Sequence, residues 1–234
     1  KMTKIYCDIA DISLINKYKK KKIVRGFTTN PSLIRKAGAK NYEGYCKKIL
    51  NNLKKFNKSI SFEVLADDEQ NMMRQALKIN SWNKNIYVKI PVINSKGQFQ
   101  GKLINELNKR RVKLNITAVY GHDQINKILK KIDKKTKVII SIFAGRLSES
   151  GKDPVQVFKK SIKLSEKHKN VEILWASTRE VYNYLQAKQL RCHIITMPPV
   201  MINKIENFGS STKELSLKTV ETFLTDSKKA NFFL

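Results

Sequence analysis

Two patterns of apolar residues alternate along this chain. One is a short run rich in Ile, Val and aromatic residues. The other is a longer stretch in which apolar positions recur three and four residues apart between charged ones. The short runs read as β-strands: KIYCDIA (4–10), RGFTT (25–29), SISFEV (59–64) and IYVKIP (86–91) in the first half. KLNITAV (113–119), KVIISIF (137–143), VEILWAS (171–177) and CHIITMP (192–198) follow in the second. The longer stretches read as amphipathic helices, for example 67–80 and 153–168. Both open with Asp, and Pro154 directly behind Asp153 is a helix-start signal. Such alternation builds βα units around a parallel sheet, and eight strands is the number that closes a barrel. The pattern therefore predicts an α/β chain folded as a single-domain (β/α)8 TIM barrel over residues 2–234, since no Gly/Ser-rich linker divides it. The opening Lys1-Met2 pair suggests a natural start at Met2, with Lys1 an addition. After the eighth strand, 210–234 predicts a C-terminal helix and an apolar tail, NFFL, that packs across the barrel or docks on a neighbouring subunit.

Composition agrees with a folded domain: 234 residues, 41% hydrophobic and 9% aromatic, with ample material for a core. Charge raises a different question. Lys and Arg number 47 against 19 Asp and Glu, a formal net charge of +28, which in general points to nucleic acid or an anionic membrane. Here the excess is spread over separate stretches, such as 17–22, 47–59 and 127–137, where lysines interleave with apolar residues at helical spacing. They read as solvated helix faces in a sequence biased toward Lys, Asn and Ile, so neither nucleic acid nor membrane is expected as a partner. Cys7, Cys46 and Cys192 are odd in number and far apart, as reduced cytoplasmic thiols are, and they offer no metal-ligand spacing. No apolar run approaches ~18 residues and no signal-peptide core stands at the N-terminus, so a cytoplasmic protein is expected.

Candidate chemistry lies at the strand ends, because the C-terminal mouth of such a barrel is where active sites are built. The strands end in Asp8; Thr28, Thr29 and Asn30; Glu63; Lys89; Asn115 and Thr117; Ser141 followed by Arg146; and Ser177 followed by Arg179. Singly, most have structural explanations: Asn30 before Pro31 suits a turn cap, Thr117 can satisfy a carbonyl, and Glu63 can pair with a lysine. Lys89 is harder to explain, standing at the centre of the apolar run NIYVKIPV (85–92). Pointing inward near the top of a barrel, its amine would sit in a confined, low-dielectric place. Desolvation there favours the neutral amine, the nucleophile that attacks a carbonyl. Asp8 and Glu63 would supply carboxylates for proton transfer, and Thr117 could hold a water. FAGRLSE (143–149) and ASTRE (176–180) each put an arginine just past a strand, a grip for phosphate.

In this order the motifs resemble those of the transaldolase family, in particular its short-chain branch, which also contains fructose-6-phosphate aldolase. IYCDIAD resembles the opening strand, GFTTNPSLI (26–34) the second-strand signature and YVKIP the Schiff-base lysine motif. KLNITAV, SIFAGRLSESG and ILWASTRE resemble the fifth, sixth and seventh strands, and the likeness runs from Met2 to about Lys229. It implies that Lys89 forms an imine with C2 of a ketose phosphate, fructose 6-phosphate or sedoheptulose 7-phosphate. Asp8 would move the proton of the C4 hydroxyl, leaving a dihydroxyacetone unit for transfer to erythrose 4-phosphate or glyceraldehyde 3-phosphate, the chemistry of the pentose phosphate pathway. Glu63 and Thr117 would hold the water, and Asn30 and Asn115 would bind hydroxyls. Ser141 would contact the terminal hydroxyl, with Thr29 and Phe143 also in the substrate site, and Arg146, Ser177 and Arg179 would bind phosphate. The resemblance implies no metal, no organic cofactor, and a homo-oligomer, a pentamer or decamer, with the C-terminal helix reaching a neighbour.

Two positions bear on the choice within the family. Aldolase members that release free dihydroxyacetone tend to carry Gln at the Glu63 position and Tyr at the Phe143 position. Glu63 and Phe143 therefore favour transfer, with fructose-6-phosphate aldolase activity as the alternative and a non-catalytic polyanion-binding barrel as a third reading. The segment AVYGHDQ (118–124) departs from the family in Tyr120 and Gly121, with His122 expected to be a loop residue rather than a substrate contact. Trp175 and Thr178 are expected near the phosphate site.

Overall fold

Eight parallel strands close into a barrel in sequence order in the computed structural model, which describes residues 2–232. Lys1 and the last two residues of the NFFL tail lie outside the described residues. The strands are β1 (Lys4–Asp8), β2 (Val24–Thr28), β3 (Ser59–Glu63), β4 (Ile86–Pro91), β5 (Leu114–Val119), β6 (Val138–Phe143), β7 (Val171–Ala176) and β8 (Ile194–Met197). Each falls where the apolar runs predict it, and β4 spans the expected residues from end to end. The helices start where side chains cap them: Asp68 accepts from the amide of Asn71 to open Glu69–Trp82. Asp153 accepts from Val155 N to open Pro154–Ser165, with Pro154 in the first turn, where no amide hydrogen is needed.

The period of two along each strand separates two packed regions. Outward residues such as Ile86, Val88 and Ile90 on β4 join the large core between strands and helices. Inward residues form a smaller cluster: Tyr6, Tyr87, Ile139 and Ile194 in the barrel's lower half, with Leu174 and Ala176 continuing it toward the C-terminal end of β7 and Phe143 packed against it. Gly26 makes that cluster fit, since a Cβ there would stand 2.7 Å from the Tyr6 ring. With the lower half filled by apolar side chains, the polar inward residues above it are not needed to plug the barrel. Lys89 belongs to that upper layer.

Two local irregularities shape the upper rim. Ile116 pairs with Ile140 and Val119 with Ile142, so β5 carries a one-residue bulge opposite β6, and Ala118 takes a left-handed φ of 58° within it. Ser177, just past β7, is also left-handed at φ 59°. At the other end of the chain, the helix Thr212–Lys229 buries none of its residues. Among the described residues, the helix of the C-terminal segment does not take the first of the two expected placements, packing across the barrel. Among the described residues no helix is long and apolar enough to cross a membrane.

Candidate active site

The upper layer opens into a cavity of about 170 Å³ at the C-terminal ends of the strands. Lys89 occupies its floor. The register sets Glu63 of β3 on one side of it and Asn115 of β5 on the other, so all three project inward together. The lysine is 6% exposed. Its Nζ donates to the Thr29 carbonyl at 2.8 Å and lies 3.2 Å from Glu63 Oε2. An unpaired ammonium so buried would cost several kcal/mol, and these two acceptors offset that cost while leaving Nζ on the cavity wall.

Asp8 lines the same cavity from β1. Thr28 Oγ1 donates to Asp8 Oδ1 at 2.7 Å and is in hydrogen-bond contact with Thr196 Oγ1. Burial pushes the Asp8 carboxyl above its ordinary range, outweighing the Thr28 hydrogen bond and the Lys89 charge, both of which pull it down. A buried carboxyl on the same cavity wall as Lys89 is placed to take and return a proton. Glu63 is anchored through its backbone: the Tyr42 hydroxyl donates to its carbonyl at 2.8 Å and accepts from its amide at 3.0 Å.

The wall between Lys89 and β6 is a chain of hydrogen bonds. Ser141 Oγ donates to Asn115 Oδ1 at 2.7 Å, and Asn115 Nδ2 donates to Ser61 Oγ at 3.0 Å. Thr117 projects from the same side, and its buried hydroxyl has no protein partner among the described residues. A buried hydroxyl without a partner in a polar cavity is a place where a water or substrate oxygen completes the bonding. Asn30 lines the cavity while its Oδ1 accepts from Leu33 N at 2.9 Å, so it also caps the helix Pro31–Lys36. Thr29 stands apart: fully buried, its hydroxyl donates to the Ser61 carbonyl at 2.7 Å, and it meets the site through the carbonyl that holds Lys89 rather than through the cavity wall.

Phe143, Arg146, Ser177 and Arg179 form the far rim. Arg179 donates to Glu149 from Nε at 2.6 Å and from Nη2 at 3.1 Å, which leaves the Nη1 edge of the guanidinium open. The Arg146 guanidinium makes no ion pair or hydrogen bond among the described residues, and its carbon lies 5.9 Å from the centre of the Phe143 ring. Ser177 Oγ is buried without a partner. The rim can thus present two cations and a hydroxyl donor to one anionic group.

Several residues escaped the sequence reading. Thr196 on β8 and the apolar Leu174 and Ala176 line the cavity, and Ser61 ties Thr29 to Asn115. Thr196, a lone polar residue inside IITM, carried the same signal as Lys89. His122 opens the helix His122–Leu129 and lies 3.3 Å from Asp123, away from the cavity wall. Trp175 faces outward, stacked on Phe158 at 4.4 Å between ring centres, while the Thr178 hydroxyl donates to the Thr196 carbonyl. Among the described residues no three His, Cys, Asp or Glu side chains stand together as a metal site.

Comparison with known proteins agrees with this geometry. The sequence model described as Transaldolase/Fructose-6-phosphate aldolase matches residues 5–233. A probable transaldolase of Thermoanaerobacter sp. (strain X514) is 30% identical over 97% of this chain and 98% of its own. A probable transaldolase of Methanococcus vannielii is 28% identical over 95% of this chain and 96% of its own. Among solved structures, N-acetylneuraminate lyase from Mycoplasma synoviae superposes with a TM-score of 0.58 at 9% identity, covering 98% of this chain and 80% of that one. A native KDPGal structure gives 0.56, also at 9% identity, over 97% of this chain and 96% of that one. At such identity these two speak for the fold alone.

Proposed function

We propose, from the premise that the chain belongs to the transaldolase/fructose-6-phosphate aldolase family, that it is a transaldolase working through a Schiff base on Lys89. Its donor would be fructose 6-phosphate or sedoheptulose 7-phosphate, its acceptor erythrose 4-phosphate or glyceraldehyde 3-phosphate, and its place the pentose phosphate pathway. The observation that carries this reading is Lys89 itself, an inward lysine 6% exposed whose Nζ shares a cavity with Asp8.

In the proposed sequence Nζ adds to the C2 carbonyl of the ketose phosphate and water leaves, giving an imine. Asp8 takes the proton of the C4 hydroxyl as the C3–C4 bond breaks. The aldose phosphate departs, and the electron pair remains on the lysine-bound three-carbon unit as an enamine. That enamine attacks the aldehyde carbon of the acceptor, Asp8 returns its proton to the new hydroxyl, and water releases the product from Lys89. Glu63 and Thr117 would hold the water, Asn30, Asn115 and Ser141 the hydroxyls of the three-carbon unit, and Arg146, Ser177 and Arg179 the phosphate. Phe143 cannot donate a proton to the bound unit, which favours transfer over release of free dihydroxyacetone. The reading includes a homo-oligomer, a pentamer or decamer, supported by the exposed apolar residues of the C-terminal helix.

The test is to incubate the protein with fructose 6-phosphate, reduce with borohydride and map the adduct by peptide mass, with Lys89→Ala as control. A three-carbon adduct on Lys89 is expected. If neither fructose 6-phosphate nor sedoheptulose 7-phosphate leaves one, the reading is wrong for its named donors. Assay of free dihydroxyacetone alongside transfer to erythrose 4-phosphate separates transaldolase from aldolase.

A further inference from the structure

The loop after β5 carries an aromatic side chain that no step above uses. Tyr120 does not line the cavity, yet its ring lies 5.8 Å, centre to centre, from that of Phe143, with the planes inclined by 52°. Such a tilted pair within 7 Å is an attractive aromatic geometry. Phe143 also meets the Arg146 guanidinium at 5.9 Å, within the range of a cation–π contact. Tyr120, Phe143 and Arg146 thus form a row from the end of β5, across the end of β6, to the cationic rim.

The backbone around Tyr120 is built to hold it there. The bulge at Thr117 and Ala118 adds a residue opposite β6 and turns the strand end, as bulges do when they re-aim a side chain. Beyond it the Gln124 side chain accepts from the amides of Tyr120 at 2.8 Å and Gly121 at 3.2 Å. The Arg146 side chain is exposed and makes no ion pair or side-chain hydrogen bond among the described residues, and Glu149 acts on it only through its charge. Arg179, by contrast, is held by Glu149.

We infer that Tyr120 is a positioning residue for phosphate recognition: its ring fixes that of Phe143, and Phe143 in turn fixes Arg146 over the cavity. The inference rests on the proposed phosphate role of the rim. It assigns the work to the ring and none to the phenol hydroxyl. An exposed cation–π contact contributes enough to change an affinity by roughly two- to fivefold, and that is the expected effect of removing the support.

The experiment measures binding of inorganic phosphate by titration calorimetry, which needs no turnover, beside the KM for fructose 6-phosphate. Tyr120→Ala is expected to weaken phosphate binding and raise KM by that factor with little change in kcat, while Tyr120→Phe behaves as the parent protein. Phe143→Leu should reproduce the loss, and the double variant should lose no more than either alone, as expected for residues acting in series. Parental phosphate affinity in Tyr120→Ala overturns the inference, and so does a loss in Tyr120→Phe equal to that in the alanine variant. Phosphate binding that responds to Tyr120 without any adduct on Lys89 would overturn the catalytic reading and leave this one standing.

Discussion

Gly145 and Ser177 touch through their backbones: a Cβ on Gly145 would stand 1.9 Å from the Ser177 carbonyl oxygen. The same Cβ would meet Arg179 Cγ at 2.7 Å, so one missing methyl group lets the helix Ala144–Glu149 close against two rim residues. Ser177 is itself already left-handed at φ 59°, a strained backbone for a residue with a side chain. Gly145→Ala should therefore lower stability by about 3 kcal/mol or more, about 2–4 °C in Tm for each kcal/mol, and raise the KM for phosphorylated substrates. Ser177→Gly accepts the backbone angle and removes the hydroxymethyl side chain. It should keep or raise Tm while still raising KM, and thermal melts beside steady-state kinetics would show both.

Asp8 is held in the folded state with its carboxyl above the ordinary value of 3.8, chiefly by burial. A carboxyl raised by folding gives stability that is complete below the unfolded pKa and lost as pH rises through the folded one. At neutral pH, above the unfolded value, the folded protein therefore carries the cost of a desolvated Asp8 carboxyl whose charged form burial disfavours. Asp8→Asn should abolish proton transfer and raise Tm by a few degrees at pH 7. That gain should shrink as pH falls across the window between the two pKa values and vanish below it. Melting curves of parent and variant from pH 3.5 to 7.5 would check the sign, and an equal or lower Tm for the variant at pH 7 would contradict it.

The sequence was legible where periodicity and side-chain chemistry coincide. Ile86–Pro91 could be placed to the residue because outward Ile and Val alternate with inward Tyr87, Lys89 and Pro91, and one lysine among them stands out. The helix start at Asp153 was readable for the same reason, a capping side chain before an amphipathic run, and the start read at Asp67 falls one residue before the cap at Asp68. What sequence could not show depends on backbone geometry. Nothing in LNITAV announces a bulge or a left-handed Ala118, and Ser177 reads like any small residue at a strand end. The inward turn of Thr29 toward Ser61, which makes it a support for Lys89 rather than part of the wall, follows from β2 to β3 packing that no local pattern encodes.

Phe143 lines the cavity with a ring that can neither donate nor accept a proton. On the proposed Schiff-base chemistry, Phe143→Tyr places a phenol on that wall, where it can assist protonation of the lysine-bound enamine and let water release the unit. The ratio of free dihydroxyacetone formed to units transferred to erythrose 4-phosphate should rise, with Lys89 still trapped by borohydride. Enzymatic assay of dihydroxyacetone with and without acceptor reads this directly, and an unchanged ratio would mean that partition is set elsewhere in the cavity.

The helix Thr212–Lys229 leaves Leu217, Val220, Phe223 and Leu224 more than half exposed, and at 100° per residue the four fall within one stripe about 120° wide. An apolar stripe of that width on an 18-residue helix that buries none of its residues on its own barrel is what an intersubunit contact requires. Its N-terminus is independently secured by the reciprocal Ser211 and Glu214 capping bonds, so the helix does not rely on the barrel for its start. Charging the stripe with Val220→Glu and Phe223→Lys together should shift the species seen by light scattering toward monomer. The barrel's Tm at low protein concentration should stay within about 2 °C of the parent, because neither side chain packs on it. An unchanged mass would overturn the proposed role of this helix in subunit contact.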